Sequence, residues 1–195
     1  MKKERLEAFS DGVLAIIITI MVLELRAPRQ ATFDALLPLV PVLISYVLRF
    51  IFIGIYWSNH HHLLQAVSRV DGRVLWANLH LLFWLSLVPF VTAWVGGNSF
   101  AAVPVAMYGV VLLFSAIAYF ILTKALIALH GTDSVIATAL GADFKGKISV
   151  VIYLAALPLA FFNPLFSYGL YVLVAVMWLV PDRRIEKMFT ERREN

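Results

Sequence analysis

The side chains able to do chemistry gather at a few places in an otherwise apolar chain. Arg5, Phe9, Ser10 and Asp11 stand at the entrance to a long apolar run. Further on come Trp57, Asn59 and three consecutive histidines, His60, His61 and His62. Asn78 and His80 follow, with Pro89 and Phe90 beyond them. A polar group at membrane depth is costly, so each of these is expected to face protein, water or a pathway. Arg5 and Asp11 are six residues apart, a spacing that does not bring them together on one helix. Their partners must come from other helices. A structural network of Arg5, Phe9, Ser10, Asp11, His60, His61, Asn78 and His80, its polar members hydrogen-bonded, is the economical arrangement, because each polar group would otherwise stand unsatisfied in hydrocarbon. The competing reading makes Ser10 or Asp11 an ordinary N-cap for a helix beginning at Gly12.

Other chemistries fit poorly. Neighbouring residues on a helix point about 100° apart, so three adjacent histidines cannot all ligate one metal. Zinc and iron sites want ligands three or four residues apart with carboxylate companions, so no structural metal is expected. Cysteine is absent, which removes disulfides and thiolate chemistry. There is no HExxH, no GxSxG and no repeated histidine box. The chain is therefore not expected to be an enzyme, and no cofactor is expected.

The elements that hold these residues are membrane helices. Hydrophobic residues make up 62% of the chain against 14% charged, with a mean hydropathy of +0.86. A soluble domain carries roughly a quarter of its residues charged. Apolar runs approaching the roughly 20 residues that cross a bilayer fall at about 7–25, 35–64, 74–95, 103–129, 148–162 and 165–180. The last two are short and are separated by Asn163 and Pro164, so a tight hairpin is the alternative to two full spans. The expectation is an all-α polytopic membrane protein with six transmembrane helices: residues 1–181 form the membrane domain and residues 182–195 a charged cytoplasmic tail. The basic N-terminal start resembles a signal peptide, but Ser10 and Asp11 interrupt it and no small-residue cleavage site follows, so it is read as a retained first helix.

Lys and Arg resist translocation and mark the cytoplasmic side. With six spans, one side collects all of the 16 basic residues except Arg26, Arg29 and Arg49. That imbalance places both termini in the cytoplasm. It also explains the pI near 9.5 without nucleic acid, since the tail mixes acid with base and no aromatic-interleaved basic patch of the stacking kind appears.

On the first helix, Ile16, Ile20 and Leu23 share one face, with Thr19 beside them. A lipid-facing or packing stripe is the default. If the face lines a symmetric pore, rings of Ile and Leu form constrictions that gate by dewetting, and a threonine ring offers hydroxyl oxygens to a partly dehydrated cation.

The pattern Arg5-x-x-x-Phe9-Ser10-Asp11 ahead of an Ile/Thr/Leu helix resembles the transmembrane protein 175 potassium channel family, in its short prokaryotic form. The likeness extends to Trp57, His60 and His61, to Asn78, and to Leu87-Val88-Pro89-Phe90. It implies a homotetramer in the cell membrane, with first helices surrounding a central pore that lacks a TVGYG filter. It further implies constrictions at Ile16, Ile20 and Leu23, potassium preference at Thr19, and structural roles for Arg5, Ser10 and Asp11. The expected permeant ions are monovalent cations, with modest preference for K+ over Na+ and K+ held near Thr19. The alternative is a proton-coupled secondary transporter using Asp11, Glu24 and the histidines as relays. Inverted repeats with broken helices would favour it, and none is visible.

Overall fold

The computed structural model describes residues 2–23, 25–140 and 144–179. Every regular element among them is helical: α1 Lys3–Val22, α2 Val40–Gln65, α3 Gly72–Ser86, α4 Val88–Gly97, α5 Ala102–His130, α6 Val135–Leu140, α7 Phe144–Leu159 and α8 Pro164–Leu179. A short 3-10 segment, Asp34–Leu39, leads into α2. Glu24, the expected boundary at residue 181 and the charged tail at 182–195 lie outside the described residues.

The first helix begins earlier than a cap at Ser10 or Asp11 would allow. Lys2, in extended backbone, is the N-cap, and both polar residues lie in the body of α1. Ser10 uses its hydroxyl to donate to the Leu6 carbonyl one turn back, at 2.9 Å, the usual recourse of a serine inside a helix. The second apolar run divides because Pro38 lies within the 3-10 segment that precedes α2. The third divides at Leu87: Pro89 has no N–H to donate and its ring crowds the preceding turn, so α3 and α4 form one run interrupted near its middle. Asp71 starts α3 as a true N-cap, accepting from the Val74 amide at 2.9 Å.

By length and composition, Val42–Gln65, Gly72–Gly97 and Ala102–His130 suffice to cross a membrane. The first half of α1 carries Glu4, Arg5, Glu7 and Asp11, which holds it outside that group. Helices α7 and α8 have 16 residues each, about 24 Å at 1.5 Å per residue against about 30 Å of hydrocarbon. They form an antiparallel hairpin. Ser167 donates to the Ala156 carbonyl at 2.8 Å, Trp178 Nε1 donates to Ser149 Oγ at 2.8 Å, and the rings of Tyr153 and Tyr171 lie between these bonds at 6.0 Å.

Helix α5 is the centre of the fold, packing on α3, α4, α7 and α8. At Gly109 a side chain has no room, because a Cβ would overlap the Tyr171 hydroxyl. Close backbone approach is thus the reason for that glycine. Helix α1 stands at the edge of the bundle, against α2 and α3.

Candidate functional site

Helix α1 has two unlike faces. Leu6, Ser10, Leu14, Ile17 and Met21 recur every three or four residues, which aligns them on one side, and all five are buried. The lone polar member, Ser10, is fully buried and accepts from Asn78 Nδ2 at 2.9 Å. Asn78 in turn holds His60, with Oδ1 and the imidazole Nε2 2.7 Å apart. Amide oxygen can only accept, so His60 Nε2 carries the proton. The chain runs in one direction: His60 donates to Asn78, Asn78 to Ser10, and Ser10 to the Leu6 carbonyl. The links run from α2 to α3, from α3 to α1 and back along α1, and all three side chains are at most 2% exposed.

A second set of contacts flanks this core. Trp57 Nε1 donates to Asp11 Oδ1 at 2.9 Å. His61 Nδ1 lies 3.4 Å from Glu7 Oε1, while His61 Nε2 accepts from Gln65 at 2.8 Å. The Trp57 and His61 rings stack at 6.1 Å. Glu7 and Asp11 are one turn apart on α1, and Trp57 and His61 one turn apart on α2. The two pairs meet in reverse order, as antiparallel helices require.

The structure thus brings together Ser10, His60 and Asn78, and beside them Asp11 and His61. Three residues expected in the network stand apart from it. His80 accepts from Trp84 Nε1 one turn along its own helix, at 2.9 Å, because residue 80 is displaced by roughly 200° from Asn78 around α3. Arg5 and Phe9 lie on the exposed side of α1. Trp57, Glu7 and Gln65 complete the contacts and were not among the expected network residues; the matched four-residue spacings on two neighbouring helices were the signal for them. No group of three His, Asp or Glu able to hold a metal ion occurs among the described residues.

The other face of α1 is apolar and uncovered. Ile16 is 59% exposed, Ile20 51% and Leu23 77%. Thr19 lies on the same side, its hydroxyl donating to the Ile16 carbonyl at 2.9 Å. That bond uses the hydroxyl proton and leaves the oxygen free to accept.

These features define an all-helical membrane protein whose first helix is anchored on one side and bare on the other. Comparison with known proteins supplies the family. The profile of the endosomal/lysosomal potassium channel TMEM175 matches residues 5–89. A potassium channel of Chryseobacterium sp. (strain P1-3) is 53% identical over 191 residues, which is 98% of this chain and 100% of that protein. A potassium channel of Streptomyces collinus is 36% identical over 123 residues, covering 59% of this chain and 60% of that one. Among solved structures, the crystal structure of a lysosomal potassium-selective channel TMEM175 homolog from Chamaesiphon minutus superposes with a TM-score of 0.76 at 30% identity. It covers 92% of this chain and 97% of that one. The chain belongs to the TMEM175 family.

Proposed function

We propose that this protein is a potassium-permeable cation channel, formed by four copies of the chain around a pore lined by the bare face of α1. The observation that carries the reading is the division of α1 into two faces, each recurring every three or four residues, one buried and the other exposed. Ile16, Ile20 and Leu23 share the exposed face with Thr19. A face anchored from behind by Ser10, Asn78 and His60 is a fixed surface, as a pore wall must be. Rings of Ile16, Ile20 and Leu23 then form the narrow apolar seals, and the Thr19 ring supplies oxygens to a partly dehydrated K+. One hydroxyl layer gives only modest preference for K+ over Na+. The relatives named as potassium channels support the same class of activity.

The arrangement has six membrane passages, with α1, α2, α3–α4, α5, α7 and α8 in alternating directions. Both termini lie in the cytoplasm, where the basic residues concentrate. Residues 1–181 form the channel and 182–195 a cytoplasmic tail. The short α7 and α8 span with local thinning of the bilayer, a modest cost for helices shielded by α5.

A liposome flux assay under a potassium gradient, repeated with sodium and with the proton uncoupler varied separately, tests the reading. Uncoupler-dependent dye response carried by K+ and less by Na+ supports it. Absence of flux of either cation from folded, oligomeric protein rejects it, and strict dependence on a proton gradient with a co-substrate points to the transporter alternative.

A further inference from the structure

Two adjoining spaces in the subunit lie apart from α1. A cavity of about 40 Å³ opens between α2, α5, α7 and α8, bounded by Ile55, Asn59, Phe120, Ser149 and Trp178. Behind a wall shared at Ile55, Asn59 and Trp178, a wider groove of about 290 Å³ runs along α2 and α8 past Phe50, Ile51 and Gly54. No residue of α1 lines either space.

The groove is hydrocarbon-like along its length and polar only at one end. At Gly54 its floor is open, since a Cβ there would meet nothing within 4 Å. Polar groups appear where α2 approaches the cytoplasm. There Asn59 Nδ2 donates to the Ile55 carbonyl at 2.8 Å, and Tyr119 donates to the Asn59 carbonyl at 3.3 Å. Positive charge stands beside the cavity. Lys124 Nζ lies 5.3 Å from the centroid of the Phe120 ring, which walls the cavity. Lys147 is exposed on the first turn of α7, next to the cavity-lining Gly146. A largely apolar groove that shares a wall with a cavity flanked by ammonium groups matches one kind of molecule.

We propose that this groove holds an anionic phospholipid of the inner leaflet, with an acyl chain along Phe50, Ile51 and Gly54 and its phosphate beside Lys124 and Lys147. Lysine ammonium groups at the cytoplasmic ends of membrane helices attract anionic headgroups, and pockets between such helices bind them. The acyl chain covers apolar surface at Phe50 and Ile51 that is unfavourable to hydrate. Asn59, at the junction of groove and cavity, immediately precedes His60, so an occupied groove braces the segment of α2 that anchors α1.

The test is native mass spectrometry of the full-length oligomer, purified in detergent and titrated with phosphatidylglycerol or phosphatidylcholine of identical acyl chains. Phosphatidylglycerol adducts are expected at roughly tenfold lower lipid concentration than phosphatidylcholine adducts, an advantage that two lysines near a phosphate suffice to give. Lys124→Gln with Lys147→Gln should abolish that preference while leaving weak binding of both lipids. Gly54→Leu, which fills the groove from its open floor, should remove tight adducts of both, and Ile51→Trp checks the same point from the rim should the first variant fold poorly. Equal retention of the two lipids by the unaltered protein overturns the proposal. So does undiminished phosphatidylglycerol binding in both groove-filling variants, and so does a folded oligomer that takes up neither lipid, the result expected if another part of the chain fills the groove. Since the readout is mass rather than flux, it stands or falls apart from the channel assignment.

Discussion

The two faces of α1 are built from nearly the same amino acids and behave in opposite ways. Leu14, Ile17 and Met21 are buried within the subunit, whereas Ile16, Ile20 and Leu23, one or two residues away in sequence, are open. Hydrophobicity cannot separate the two sets. Position relative to Ser10 does, because the bond from Asn78 to Ser10 turns that side of the helix inward. Packing on α2 and α3, together with that internal hydrogen bond, separates the apolar residues that are core from those left open.

If the open face seals a pore, Ile16→Asn or Leu23→Asn should raise basal K+ flux in liposomes by about tenfold or more, since removing even ~1.4 kcal/mol of barrier is a factor of ten. Unchanged conductance in both variants would remove the pore from this face. The buried face should respond in the other currency, stability. Asn78→Ala leaves His60 and Ser10 without their shared partner, at about 1–3 kcal/mol for buried polar groups. Its thermal melting and its retention as an oligomer should both decline, while the K+ to Na+ ratio of the surviving protein stays the same. A large change in ion preference without loss of stability would break the division between the faces.

Asp11→Ala acts at the margin of the anchored face. It removes the acceptor for Trp57, and a hydrogen bond between helices in a membrane averages about 0.6 kcal/mol. Assembly on size exclusion should weaken measurably and selectivity should hold; a tetramer of undiminished stability would show that the Asp11 contact does not secure α1. Thr19→Val keeps the shape and removes the oxygen. The K+ to Na+ permeability ratio, measured by bi-ionic potentials, should move toward unity by roughly twofold, as one modest hydrogen-bond-scale contribution of ~0.5 kcal/mol implies. No movement would assign whatever preference exists to another position.

Much of the fold was legible because membrane insertion imposes a strong and local rule. Apolar runs located α2, α5 and the α7–α8 hairpin, and Pro89 lies just past the bend at Leu87, inside the run that became α3 and α4. Helix ends were harder. The start of α1 at Lys3 was hidden because its first turns are charged, and charge at an interface does not distinguish helix from approach segment. In the site, Ser10, Asp11, His60, His61 and Asn78 were identifiable as polar residues at one depth. Their pairing was not, because depth ranks residues along the membrane normal and says nothing about rotation around a helix. His80 shows this: it shares a helix and a depth with Asn78 and faces elsewhere.

The sequence by itself determined that the chain is helical and that it belongs in a membrane, since hydropathy is a property of the residues themselves. Which face of α1 is buried, which histidine bonds Asn78, and that a groove remains open at Gly54 were decided by tertiary structure alone. Each depends on how one helix is rotated against its neighbours, and that angle is settled by packing and hydrogen bonds between residues as far apart in the chain as Ser10 and Asn78.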